Sequence, residues 1–306
     1  MGWYKLVFKQ KQPIHVGSAK WGVVNETEIF IPGSTMWGAL TNIYLQKINT
    51  NNRKKQIKKE KTDTTNRKEL EEQLKKIIEY FEKISNFFPS FDGENILQPT
   101  YQKGEFGYLL PDTNEFLSED KFRFYFVDTL VQTAIEPISR QAKDESLHEL
   151  DYILPKSKQN LKNFKDNLYW IGIIQIKNND LENFLDDIKS ESIFAGADVR
   201  YGYGELKLVN VSSLDENDKN FWWINNSNSI EIKTDKHSPY FIEAQDNLKI
   251  EGEVLLIPEI DFRENTPKLT DARFFSSVGS KIQSSLQNLK LKKGKLVKEN
   301  NNANST

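Results

Sequence analysis

The sequence predicts an α+β protein built on a ferredoxin-like (RRM-like) β-α-β-β-α-β domain, and three observations carry that expectation. Residues 3–9 alternate apolar and polar as a strand does, and past a glycine-containing loop they lead to a helical stripe. A nearly continuous apolar run at 167–176 (NLYWIGIIQI) is followed by a second helical stripe, Leu181, Phe184, Leu185 and Ile188. A glycine-rich loop at 196–204 then opens straight onto the alternating residues Leu206, Lys207 and Leu208. In this split pattern an antiparallel sheet carries both helices on one face and leaves the other face available.

Taken in order, residues 10–25 contain Pro13, Gly17 and Gly22 and read as a long loop. The turn Ile31-Pro32-Gly33-Ser34 starts the first helix, with Ser34 as its N-cap and Met36, Leu40, Ile43, Tyr44 and Ile48 on one face. Residues 47–88 form an insertion. Its Lys/Asn-rich first part, 47–67, is a self-solvating stretch, and Leu70, Leu74, Ile77, Ile78, Phe81 and Ile84 make an amphipathic helix that ends before Pro89. Residues 88–117, dense in Gly, Pro, Asp and Asn, read as irregular, and 121–127 (KFRFYFV) as a strand with Phe122, Phe124 and Phe126 on one face. Residues 130–150 are charged between strand-like ends and predict a protruding hairpin arm.

The ferredoxin-like domain thus spans 1–211. Residues 212–280 form a small β-rich C-terminal extension, entered through a polar linker at 212–220, with strands expected at 221–224, 240–244 and 249–257. The Lys-rich and then polar stretch 281–306 reads as a disordered tail.

Composition narrows the chemistry. Lys and Arg number 42 against 44 Asp and Glu, for a formal net charge of −2, so attraction to a polyanion must come from local patches. The absence of cysteine removes disulfides, thiolate metal sites and thiol nucleophiles, and three scattered histidines do not make a metal cluster. No metal and no cofactor are expected. With no run of membrane-spanning length and a charged N-terminus, the expected location is the cytoplasm, without membrane contact.

The glycine-rich loop holds Gly196, Gly202 and Gly204 together with Arg200, Tyr201 and Tyr203. Two readings fit it. Successive N–H groups freed by glycine can surround a phosphate while arginine adds charge and the tyrosines offer stacking faces, or the glycines serve only the geometry of a tight connection. Trp21, Trp37, Trp222 and Trp223 likewise fit either base stacking or a core.

Three stretches resemble one family. Residues 29–40, Ile-Phe-Ile-Pro-Gly-Ser-Thr-Met-Trp-Gly-Ala-Leu, are similar to the helix-start motif of the RAMP superfamily of CRISPR-associated proteins. The loop from Gly196 to Gly204 resembles that superfamily's glycine-rich loop, with Ala197 where the motif has its second glycine and Asp198 adding a negative charge. Thr133, Ala134, Ile135, Arg140, Ala142, Asp144, Glu145 and Leu147 resemble its protruding hairpin. The resemblance, over roughly the first two thirds of the chain, implies a subunit of a type III RNA-guided effector complex, with guide RNA, target RNA and other protein subunits as partners. It implies RNA contacts from His15, Gly17 and Lys20 in the first loop, Ser34 and Thr35 at the helix start, Arg140, Lys143 and His148 in the arm, and Gly196, Arg200, Tyr201, Gly202, Tyr203 and Gly204 in the loop.

Target-cleaving subunits of the superfamily carry an aspartate after the first strand; here residues 10–29 hold no Asp, only Glu26 and Glu28, so no cleavage is expected. The alternative is a guide-processing endoribonuclease, for which His15 is the one candidate general acid/base. A further alternative is an RNA-binding module of the same fold outside CRISPR systems.

Overall fold

The computed structural model describes residues 2–58, 77, 79–159, 167–176, 179–189, 191–245, 249–261, 266–283 and 289–298. In chain order these form β1 (Gly2–Gln10), β2 (Gly17–Trp21), β3 (Val24–Thr27), helix α1 (Gly33–Lys58), β4 (Phe88–Ser90), β5 (Gln98–Gln102), β6 (Glu105–Leu109) and β7 (Phe116–Ser118). Helix α2 (Glu119–Phe126), β8 (Val127–Gln132), β9 (His148–Ile153), β10 (Tyr169–Ile176), helix α3 (Asn179–Ile188), β11 (Ser192–Phe194), a 3-10 turn (Val199–Tyr201) and β12 (Glu205–Ser213) follow. The C-terminal part holds helix α4 (Glu216–Phe221), β13 (Phe241–Glu243), β14 (Ile250–Glu251), β15 (Val254–Asp261), β16 (Lys268–Ser276), β17 (Lys281–Ile282), β18 (Leu289–Lys292) and β19 (Lys295–Lys298).

The central sheet is antiparallel with strand order β11-β12-β1-β10-β4. β10 is apolar on both faces because both are covered, and seven of its eight residues are buried. Helices α1 and α3 meet side by side, the Tyr44 and Phe184 rings 4.9 Å apart. The opposite face is not left available as expected. Segment 215–230 lies over it: Asp218 pairs with Lys5 at 2.8 Å, and the Asn228 carbonyl accepts from Trp3 Nε1 at 2.9 Å.

Several local expectations are corrected. Residues 10–25 are not a long loop, because a turn with Gly22 at φ 61° folds 17–27 into the hairpin β2–β3. Ser34 does not cap α1. The Pro32 carbonyl accepts from the N–H of Thr35 and Met36, and the Gly33 N–H is satisfied by Asn86 Oδ1 at 2.9 Å. The helix runs on to Lys58, into the stretch read as self-solvating. Of the expected helix at 70–84, residues 70–76 lie outside the described residues; Ile77, Glu79 and Tyr80 are helical, while Phe81 and Ile84 are buried beyond its end. Residues 98–118 form a three-stranded meander instead of irregular structure.

Residues 121–126 are helical where a strand was expected, and only Val127 is extended, as the start of β8. Ser118 accepts from the Lys121 N–H, Glu119 and Asp120 occupy the first turn, and Arg123 pairs with Glu119 one turn back. Phe122 and Phe126, four apart, are buried, and Phe124 points out at 59% exposure. Burying two phenylalanines contributes about 3–6 kcal/mol, against about 0.5 kcal/mol for the ion pair, so packing decides the conformation.

Beyond β12 the expected linker at 212–220 holds the end of β12 and most of α4, whose Asp215 and Asp218 make a reciprocal capping box, and of the expected strand 221–224 only Ile224 pairs, in an isolated bridge to Ile230. The expected disordered tail is corrected over 281–283 and 289–298: β18 and β19 pair through a Lys293-Gly294 turn, and β19 joins β13 in parallel. These C-terminal residues share one core with the N-terminal part. Phe30 packs on Phe241 with ring centroids 5.8 Å apart, and Phe88 stacks on Trp222 at 5.8 Å. Asn86 Nδ2 donates to the carbonyls of Pro239 and Gly294, both at 3.0 Å, so one buried amide ties the start of α1 to the C-terminal sheet.

Candidate nucleic-acid interface

Residues 13–16, between β1 and β2, are the point where three separate stretches meet. On one side the glycine-rich loop is fastened to them, Gly204 N–H donating to the Pro13 carbonyl at 2.7 Å and Ala197 N–H to the His15 carbonyl at 2.9 Å. On the other side stands the base of the arm. Ile14 and Ile153 exchange both backbone hydrogen bonds, at 3.0 and 2.8 Å, and His15 Nδ1 donates to the Asp151 carbonyl at 2.6 Å. The Tyr152 and Tyr203 rings, 5.9 Å apart, close the arrangement. First loop, glycine loop and arm base therefore form one continuous surface.

Inside the glycine loop the three glycines do different work. Gly196 (φ 90°) and Gly204 (φ 79°) lie where a Cβ would overlap the carbonyl oxygens of His15 and Ala195. Gly202, at φ 89°, would meet nothing within 4 Å. The N–H groups of Ala197, Tyr201, Gly202 and Gly204 all donate within the chain. The expectation that successive loop N–H groups surround a phosphate is corrected to that extent, because the close approach that glycine permits is to this chain's own backbone. What the loop offers to solvent is its crest: Val199, Arg200, Tyr201 at 80% exposure, and Gly202, with Tyr203 half-buried.

The other candidates divide. Gly17 and Lys20 are exposed on β2, the edge strand beside the junction. His15 is buried at 5% exposure, with Nδ1 engaged by the Asp151 carbonyl. Ser34 is exposed and Thr35 half-buried in the first turn of α1, and Gly33 beside them packs against Ser85 and the Lys293-Gly294 turn rather than the glycine loop. Arg140 and Lys143 are exposed on the arm, whose strands β8 and β9 pair over their full length. Beyond those strands the arm is held by its own hydrogen bonds, Lys143 N–H to Ala134 O at 2.8 Å and Thr133 to Ser146 at 2.8 Å. His148 is half-buried with Nδ1 near the Ser146 carbonyl and Nε2 near Gln132 Oε1, at 3.0 and 3.2 Å.

Of the tryptophans weighed for stacking, Trp222 and Trp223 are buried, and Trp37 packs on the core with Lys293 Nζ 3.4 Å from its ring centroid. Trp21 stands at 68% exposure. Glu28, just past β3, accepts from the Ser18 hydroxyl at 2.7 Å. Burial pushes its carboxyl above the ordinary range, that hydrogen bond pulls the other way, and Glu119 adds to the rise. Sequence reasoning missed the β2–β3 hairpin and the role of Asn86. Alternation around the Trp21-Gly22 turn signalled the first, and nothing local signalled the second.

Among the described residues no group of three or more His, Cys, Asp and Glu is placed to hold a metal ion, and no helix is long and apolar enough to cross a membrane.

The model of the RAMP superfamily matches residues 8–207, from within β1 into β12. The chain belongs to the RAMP superfamily. The matched span of this RAMP chain includes the first loop, the arm and the glycine loop, and excludes α4 and the C-terminal sheet. It is similar in structure to chains from two cryo-EM structures of the Type III-B Cmr-beta, one bound to cognate target RNA and AMPPnP (state 1) and one bound to cognate target RNA. Each is 16% identical with a TM-score of 0.53, covering 91% of this RAMP chain and 85% or 86% of the other. The shared fold thus reaches beyond residue 207. No curated protein matches the sequence.

Proposed function

We propose that this RAMP protein is a non-catalytic subunit of a type III CRISPR RNA-guided effector complex. In this reading it binds the guide RNA backbone beside the crest of the glycine loop and contributes to assembly and target RNA recognition in antiviral defence. The observation that carries the reading is the convergence of first loop, glycine loop and arm base on residues 13–16. Family membership and fold neighbours taken from a complex holding target RNA support it. The ferredoxin-like reading of the domain draws support from the strand order β12-β1-β10-β4 and the two adjacent helices, which fit the split pattern.

In mechanism, Arg200 supplies a charge-assisted donor to a phosphate and Tyr201 a face for a base or ribose, both on a loop made rigid by its internal hydrogen bonds. Lys20 adds charge from the adjoining hairpin, and Arg140 and Lys143 extend the reach along the arm. Ser34 and Thr35 contribute at most a separate contact at the start of α1. The burial of His15 weighs against the endoribonuclease alternative.

The test is to purify the full chain from cells expressing a CRISPR array, together with whatever assembles on it, and to sequence the RNA it retains. Guide RNA should be enriched, and incubation of the free chain with repeat RNA should give no cut product with or without divalent metal. Metal-independent cleavage lost in His15→Ala would overturn the non-catalytic assignment.

A further inference from the structure

The C-terminal sheet, of order β15-β16-β13-β19-β18, ends in the hairpin β15–β16, whose two faces differ in character. Register sets Leu256 opposite Phe274, Pro258 opposite Ala272 and, past a bulge at Glu259, Ile260 opposite Leu269, all on one face. The reverse face carries the charges. There Arg273 pairs with Glu243 at 3.2 Å and with Asp271 at 2.6 Å, and Lys295 pairs with Glu259 at 3.1 Å. An antiparallel sheet of this alternation solvates its charged face and packs its apolar one.

The apolar face does pack where the sheet meets the shared core. Ser276 lies opposite Ile242, Ile242 beside Leu296 and Leu296 opposite Leu291, and all four are buried. Along the hairpin the same face runs on into solvent. Leu256, Phe274 and Leu269 are 56%, 58% and 66% exposed, and Pro258, Ile260 and Ala272 are exposed with them. Among the described residues this is one layer of a core with no second layer over it.

Three observations bear on what supplies that layer. The six side chains carry no charge, and Lys298, on the Leu296 side of β19, stands two strands from β16, so a phosphate backbone finds no donor among them. The stretches outside the described residues that neighbour these strands in sequence, 246–248, 262–265, 284–288 and 299–306, have only Leu248, Phe262, Leu286 and Ala303 as apolar residues, too few for a layer. The exposed patch measures about 550 Å². Two copies joined face to face would therefore bury about 1,100 Å², against about 2,000 Å² or more in an obligate homodimer. A contact of this size holds when both partners are already tethered to a common RNA, because tethering raises their effective concentration. β15 is a sheet edge, yet Pro258 and the bulge blunt it, so the hairpin offers its face and not its edge.

We propose that this hairpin face docks an uncharged, apolar face of a neighbouring protein subunit in the effector complex, which supplies the missing layer, with Phe274 as the anchor. The inference rests on the effector-subunit reading and deepens it, naming a protein contact in addition to the RNA surface at residues 13–16.

The experiment uses the full chain, free and in the complex purified on guide RNA from cells expressing the whole CRISPR locus. Hydroxyl-radical footprinting should find Leu256, Leu269 and Phe274 reactive in the free chain, with or without added guide RNA, and shielded in the complex. Leu256→Thr/Phe274→Lys should keep the free chain's melting temperature and guide-RNA affinity, since both side chains are exposed, and should enter the complex at least about tenfold less well. Leu269→Thr, at the far end of the hairpin, gives the same reading with a milder change. Normal incorporation of the folded variants overturns the docking face and leaves the effector-subunit reading standing, whereas a wild-type chain that enters no complex overturns both. Shielding already present in the free chain would assign the face to the chain itself, and shielding by guide RNA alone would assign it to nucleic acid. A free chain that sediments as a dimer, and as a monomer in the double variant, would assign it to a second copy. Each of these three results overturns the proposal.

Discussion

The glycine loop and the arm flank the same four residues, 13–16, yet they are held in opposite ways. The loop is fastened to the core by backbone hydrogen bonds and by two glycines pressed against carbonyl oxygens, so most of its atoms are committed to the fold. The arm beyond β8 and β9 touches little but itself: every residue from 133 to 145 is exposed, Ile138 at 95%. Changes to the loop should therefore register first as lost stability, and changes to the arm first as lost association.

The largest effect should come from Gly204→Val. A Cβ at φ 79° that overlaps the Ala195 carbonyl should cost about 3 kcal/mol or more, read as a steep fall in thermal stability. Gly202→Ala has open space and bears only the backbone cost, about 1–2 kcal/mol. Equal melting temperatures for the two variants would break the contrast between committed and open glycines.

On the arm side, replacing residues 133–147 by a tight Asn-Gly turn should leave the melting temperature within a few degrees, since β8 and β9 keep their own pairing. Assembly with guide RNA or engagement of target should fall at least about tenfold. A shortened protein that assembles normally would make the arm a surface loop.

A smaller effect is read by titration at Glu28, just past β3. The Glu28 carboxyl is raised in the folded state, so between its unfolded and folded pKa the native protein holds more protons and stability falls as pH rises. Glu28→Gln should melt higher than wild type at pH 7 and lose that advantage below about pH 4, where both forms are neutral. An advantage that is the same at both pH values would contradict the burial of charge at this position.

Much of the fold was legible because its signals are local. The apolar run of β10 and the stripe of α3 state their own burial, and the glycines of the loop announce positive φ. What sequence does not say is what a glycine is close to. Gly196 and Gly204 read equally as a phosphate cradle or a chain contact, and only the positions of the His15 and Ala195 carbonyls separate the two. Phe122, Phe124 and Phe126 alternate as a strand would, while the structure uses the first and last at helical spacing and leaves Phe124 outside. Around Lys293-Gly294 lysine content hid an alternating hairpin, since Leu291 and Leu296 turn inward while neighbouring lysines reach solvent or an aromatic ring.

The most direct measurement is the affinity of the full chain for guide RNA as a function of salt, for wild type and for Arg200→Ala/Tyr201→Ala. Both side chains are exposed on the loop's crest, so folding should be unchanged. The surface formed by loop, first loop and arm base predicts binding weaker by about tenfold or more, and a salt dependence shallower by about 0.7 in the log–log slope for the one lost phosphate contact. An unchanged affinity and slope in the folded double variant would contradict the assignment of RNA binding to this surface.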